Sequence, residues 1–261
     1  MNEAKHPNLL AHDDPPPVRQ IGRRGASPFL LTGDHAGNAV PRKLGTLGVT
    51  PDQLARHIGW DIGIAALGKQ LAWHLDALFL FQPYSRLVID CNRDPRTGKA
   101  IVTHSDGTRI PANADLTPQD AEARITAIHT PYHRAISEEI ALRDGAGRNT
   151  ILIALHSFTP VLAGHTRPWQ AGVLHDGHAD GLARQFLATM QTCTDLNVGD
   201  NKPYRMDSTD YSVPHHCFNP DRLYAEIEIR QDQLGIPSGI ARWSALLARV
   251  LIQARAAHEA D

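Results

Sequence analysis

Three cysteines in 261 residues, Cys91, Cys193 and Cys217, are too few and too scattered for a disulfide framework or a cysteine-based zinc knuckle. Such sparing use fits a reducing compartment. No stretch approaches the roughly 20 consecutive apolar residues of a membrane span, and the N-terminus lacks the apolar core of a signal peptide. Neither sign of charge dominates. Lys plus Arg total 26 against 28 Asp plus Glu, a net charge of -2, so no basic stripe points to nucleic acid or an anionic membrane. Absent too are G-x-S-x-G, which disfavours serine-hydrolase chemistry, and H-E-x-x-H, G-x-G-x-x-G and the P-loop. These absences predict a cytoplasmic protein that acts on a small molecule.

What is present is an apolar share of 42%, enough for one substantial α/β core, and 15 histidines, which favour metal or acid–base chemistry. Residues 1–27, with Pro15-Pro16-Pro17 and Arg23-Arg24-Gly25, read as a poorly ordered lead-in, and residues 28–261 as a single catalytic domain. The run from Thr150 to Phe158 (T-I-L-I-A-L-H-S-F) has the pattern of a strand covered on both faces. It delivers His156 and Ser157 to its carboxyl end, where open α/β sheets bind ligands; a structural, hydrogen-bonded histidine is the competing reading. P-F-L-L-T at 28–32 is a second strand, closed by G-D-H-A-G-N and so by His35.

Leu78–Phe81 and Leu87–Ile89 are further strand candidates. The second runs into Asp90-Cys91-Asn92-Arg93, where amide donors beside a planar guanidinium suit a carboxylate. The alternative is an ion pair of Arg93 with Asp90 or Asp94. Leu223–Arg230 alternates cleanly, placing Tyr224, Glu226, Glu228 and Arg230 on one face, with Glu228 the better candidate acid–base group. Helices are expected after Thr50, which has Pro51 and Gln53 behind it, after Asp61, over Leu116–Leu142, over Ala179–Gln191 and over Ile240–Ala257. Asp61 is either the cap of its helix or a group aimed into the crevice. His129 and His133, spaced i, i+4, read as hydrogen-bonded or solvated rather than metal-binding. Asn197–Tyr204 reads as a loop whose Asn201 and Tyr204 contact substrate, and Tyr211–His216 as a polar rim.

G-D-H-A-G-N-A-V-P at 33–41, D-I-G at 61–63, S-R-L-V-I-D-C-N-R-D-P at 85–95, L-H-S-F at 155–158 and E-I-E-I-R-Q-D at 226–232 together resemble the N-formylglutamate amidohydrolase family. That family is similar to zinc carboxypeptidases and aspartoacylases. The resemblance implies a three-layer α/β/α fold, phosphorylase/hydrolase-like, with a mixed, mostly parallel central sheet and one catalytic Zn2+. It makes His35 and His156 zinc ligands, Asn92 and Arg93 the carboxylate grip, Arg86 a further positive group and Glu228 the base, with Arg230 beside it in E-I-R. Carboxypeptidases use H-x-x-E, whereas Asn38 stands three residues after His35. A catalytic zinc has three protein ligands and one open position, so Asp61 is the expected acidic ligand and Asp34 the reserve.

The activity so implied is hydrolysis of an N-acyl acidic amino acid, N-formyl-L-glutamate in the first place, a reaction of histidine degradation. Hydrolysis of another N-acyl amino acid or peptide is the near alternative. A non-catalytic binder of small carboxylates is the alternative of a different class.

Overall fold

The computed structural model describes residues 9–193 and 195–260, except for the side chain of Cys193. The apolar run at 151–155 lies within an eight-residue strand, β6 (Ile151–Phe158), every residue of which is buried. A strand of this kind needs a neighbour on each edge and cover on each face. Its neighbours belong to a seven-stranded sheet that also contains β1 (Arg19–Gly22), β2 (Phe29–Gly33), β3 (Leu78–Phe81), β9 (Ala171–Leu174), β10 (Val198–Asp200) and β11 (Tyr224–Arg230). The remaining short strands make two hairpins, β4 (His104–Ser105) with β5 (Thr108–Arg109) and β7 (Val161–Leu162) with β8 (His165–Thr166).

The strand order is β1-β3-β2-β6-β11-β9-β10. β3, β2, β6 and β11 run parallel, β1 and β9 pair antiparallel with β3 and β11, and β10 is parallel to β9. The sheet is thus mixed and mostly parallel, and helices cover both sides. α2 (Ile64–His74), α5 (Gly181–Cys193) and α7 (Pro237–His258) form one layer, in which α7 packs on both α2 and α5. On the other face α4 (Thr130–Gly145) meets β3, and α6 (Ser212–Cys217) meets β6 and β11. α3 (Pro118–Arg124) runs into α4 through a π-helical turn, Ile125–His129. Pro131 in the next turn has no N–H to donate and crowds the carbonyl four residues back, and the wider turn gives it room. α1 (Pro51–Ala55) opens with the expected capping box between Thr50 and Gln53.

Several elements depart from the sequence reading. Of the expected lead-in, residues 1–8 lie outside the described residues, whereas Arg19–Gly22 forms the edge strand β1. An edge strand needs little apolar surface, and only Ile21 among these four residues is even half-buried. Leu87–Ile89 is buried, yet it is a turn and not a strand. Its backbone finds partners in side chains: Leu87 O accepts from Asn113 Nδ2 and Val88 O from Arg124 Nη1, both at 2.9 Å. Asn197–Tyr204 contains strand β10, and Tyr211–His216 is mostly helix α6. The helix cap after Asp61 is Gly63, in the left-handed region, so Asp61 is free for another role.

Candidate metal centre and active site

Because β2, β6 and β11 run parallel, their carboxyl ends open on one side of the sheet. His35 follows β2, His156 is the sixth residue of β6, and Glu228 is its Cα partner on β11. Neighbouring positions in a parallel pair project to the same face, so His156 and Glu228 stand side by side, with Glu226 one repeat further in. These groups line a cavity of about 640 Å³ together with Asp61, Arg86, Asn92, Arg93, Ser157 and Tyr204.

Asp61 is carried against His35 by its own backbone, whose N–H donates to His35 O at 2.8 Å. Its Oδ2 lies 3.4 Å from His35 Nδ1 and 3.0 Å from His156 Nδ1. One ligand atom from each of the three residues lies within 4.8 Å of the others, and all three residues are buried. His35 Nε2 meets Asp90 Oδ1 at 2.7 Å, which fixes its proton on that nitrogen and leaves the Nδ1 lone pair facing Asp61. His35 Nδ1 is buried without a hydrogen-bond partner. Two acceptors facing each other in a buried site suit a cation, and a set of two imidazoles and one carboxylate suits Zn2+. Behind the second ring stands Asp34, whose Oδ2 is 3.7 Å from His156 Nε2 and whose Oδ1 accepts from Tyr132 Oη at 2.7 Å. Asp34, the reserve choice, therefore stands behind His156 and outside the His35–Asp61–His156 group.

Charge follows the geometry. Burial disfavours the Asp61 carboxylate, but His35 and His156 outweigh it and hold the group well below the ordinary carboxylate range. Burial also opposes a charge on His156, and the bond to Asp61 with the nearby Glu226 and Asp34 carboxylates overcomes it, raising that pKa well above the ordinary value. Glu228 is pushed up to about 7, chiefly by burial, against the opposing pull of His156. Glu226 is raised well above its ordinary value for the same first reason. Oε2 of both glutamates is buried without a partner.

The other expected site residues divide. Arg93 points into the cavity with one nitrogen committed: Nη1 donates to Asn92 O at 2.7 Å, Thr209 O at 3.2 Å and Asp210 Oδ1 at 3.4 Å. Its Nε and Nη2 have no protein acceptor among the described residues. The ion-pair partner is Asp210, not Asp90 or Asp94. Arg86 instead places Nε and Nη2 on Asp90 Oδ2 at 3.2 and 2.6 Å, and Nη1 lies 3.5 Å from Asp61 Oδ1. Asn92 uses its whole amide on the 210–212 segment, accepting from Tyr211 N and Ser212 N and donating to Asp210. Ser157 donates from Oγ to Ile62 O at 2.9 Å, which braces the segment carrying Asp61.

Tyr204 lines the cavity and accepts from Arg167 Nη1 at 2.9 Å, with that guanidinium 4.6 Å over its ring. Two expectations are corrected. Arg230 lies outside the cavity, because its fork is closed by Asp232 at 2.7 and 3.1 Å. Asn201 lies outside it too, its Oδ1 accepting from His175 N and Met206 N. Sequence reasoning passed over Asp90 as a partner of His35 and Asp210 as a partner of Arg93. The first had a signal, an acidic residue inside the D-C-N-R segment; the second, 117 residues from Arg93, had none.

Residues 27–234 match the family model for N-formylglutamate amidohydrolase. Among solved structures, the gene product Atu2144 of Agrobacterium tumefaciens is similar at 32% identity and a TM-score of 0.92, covering 96% of this chain and 99% of that one. The N-formylglutamate amidohydrolase of Ralstonia eutropha JMP134 shares the fold at 19% identity and a TM-score of 0.69, with 94% of this chain and 100% of that chain covered. Comparison with curated protein sequences gives no match. With the family model spanning most of the chain, and the central sheet delivering two histidines and a buried glutamate to one cavity, this chain belongs to the N-formylglutamate amidohydrolase family and is an amidohydrolase.

Proposed function

We propose that this amidohydrolase is zinc-dependent and cleaves an N-acyl acidic amino acid, N-formyl-L-glutamate in the first place, as a step of histidine degradation. The observation that carries the reading is the convergence of His35 Nδ1, Asp61 Oδ2 and His156 Nδ1, with Glu228 beside His156 at the same strand ends. Zn2+ held by those three residues would polarise the scissile carbonyl and bring a bound water toward a pKa of ~7.

The chain's own groups supply the rest. Glu228, buried and with a carboxyl oxygen free, takes a proton from the attacking water and delivers it to the leaving nitrogen; the C–N bond breaks and the water oxygen stays on the formyl carbon. A base pKa near 7 is suited to that exchange at neutral pH. Arg93 offers its unengaged Nε/Nη2 edge to the substrate carboxylate while Nη1 stays anchored, so the acyl group is oriented by a two-pronged contact. Arg86 balances the charge of Asp61 and Asp90, and Tyr204 borders the substrate. The cavity has room for a larger acyl or peptidyl group, which favours another N-acyl amino acid as the second reading. Formate release from N-formyl-L-glutamate, measured with metal content before and after chelation, tests the reading. Equal turnover in the metal-free chain would remove the zinc, and no turnover with zinc bound would remove the substrate.

A further inference from the structure

His129 and His133, spaced i, i+4 where the π-helical turn runs into α4, take no part in the candidate metal centre, yet both reach the segment that serves it. His129 Nε2 lies 3.1 Å from Arg93 O, and His133 Nε2 lies 2.8 Å from Cys91 O. A carbonyl oxygen can only accept, so each of these nitrogens carries a proton. The two bonds grip the chain on either side of Asn92, and Ser212 Oγ adds a 3.4 Å bond to Cys91 O. With its proton on Nε2, neutral His133 presents Nδ1 as an acceptor, and His216 Nε2 stands 3.0 Å from it. His133 also lies against the His216 ring, with centroids 5.3 Å apart, and meets Tyr211 edge-on at 4.9 Å. Both His133 and His216 are buried.

What these bonds hold matters to the site. Asp90 lies 2.7 Å from His35 Nε2, and Arg93 carries the free guanidinium edge. The segment between them belongs to no strand: Asp90 N donates to Ala100 O at 2.7 Å and Arg93 N to Asp90 O at 3.3 Å, while the carbonyls of Cys91 and Arg93 rely on side-chain donors. We propose that His133, locked in one tautomer by His216, and His129 are positioning residues: they hold residues 90–93 so that Asp90 orients the metal ligand His35 and Arg93 faces the substrate carboxylate. The Arg93 half rests on the substrate reading above. The Asp90 half stands on zinc binding alone.

The test compares the full chain with His133→Leu, His133→Gln and His129→Leu, reading zinc affinity by competition with a chromophoric chelator. Loss of an outer partner of a metal-bound histidine weakens metal affinity about 10- to 100-fold. His133→Leu should lie near the lower end, and Gln, whose amide can donate to Cys91 O, should recover most of the loss. His129→Leu should raise KM for N-formyl-L-glutamate about fivefold with kcat little changed, the signature of lost ground-state positioning. Wild-type zinc affinity in folded His133→Leu overturns the proposal, as does a Gln variant as weak as Leu. Should His133→Leu fail to fold, His216→Leu keeps the ring and removes the proton that fixes its tautomer; unchanged zinc affinity there overturns the proposal equally. A wild-type chain that binds zinc but spares N-formyl-L-glutamate defeats the substrate reading, while the chelator series still decides the tether.

Discussion

Glu226 and Glu228 share a face of β11 and the same buried surroundings, but only Glu228 is the register partner of the metal-ligand candidate His156. Glu228→Gln keeps the shape and removes the base, so turnover should fall about a hundredfold or more while zinc stays bound. Formate release read beside metal analysis checks this, and unchanged turnover would move the base to Glu226. For Arg93 the geometry sharpens an expectation from sequence. A lysine there keeps the charge and loses the fork, along with the anchor on Asn92 O and Thr209 O. Arg93→Lys should therefore impair N-acyl amino acids strongly and an analogue amidated at its carboxylates much less. Equal losses on both would make the Arg93–Asp210 contact a purely structural one.

At the scale of elements, β6 and β11 are legible because each obeys one simple rule: β6 is apolar without a break, and β11 alternates. The family motifs carry His35, Asp61, His156 and Glu228, and in the fold all four line one cavity. Leu87–Ile89 misleads because its buried backbone is satisfied by Asn113 and Arg124, residues whose partners no local pattern announces. Arg230 misleads for a related reason, since Asp232 two positions on captures it. The turn after β2 carries a requirement the sequence leaves unexplained until its packing is seen: a Cβ on Gly37 would come 2.1 Å from Pro83 O. Pro83 O already accepts from Ala39 N at 3.1 Å, so neither backbone can withdraw freely. Gly37→Ala should cost about 1–3 kcal/mol, the range for overpacking, as seen in urea unfolding.

For the molecule as a whole, buried histidines contribute to the pH dependence of stability on the acid side. His133 and His216 are pushed well below the ordinary value, first by burial and then by other histidines, and burial lowers His129 as well. Tyr211, Tyr132 and His215 surround the pair. Their folded pKa lies below the unfolded 6.5, so the unfolded chain binds more protons under that pH. The stability they allow is complete above 6.5 and is lost as pH falls toward the folded values. His35 and His156, with raised values, act in the opposite sense, so the cluster's share is the difference between wild type and a His133→Leu/His216→Leu double variant. From pH 7 to 5.5 the urea midpoint should fall more in wild type than in that variant, and parallel slopes would assign the acid sensitivity elsewhere.

If the proposed zinc is bound, the same architecture bears on when its three ligands come together. Asp61 and His156 are 95 residues apart, and the parallel pairing of β2 with β6 brings the segments that carry them together. Closing so long a loop is slow, and parallel pairing is won late. A nascent chain that has emerged only as far as Arg148 holds His35 and Asp61 without His156, and so would offer zinc two of the three proposed ligands. On the zinc reading, uptake of the ion would follow the pairing of β2 with β6 rather than guide it, and a chain made without zinc is expected to hold the paired sheet without turnover.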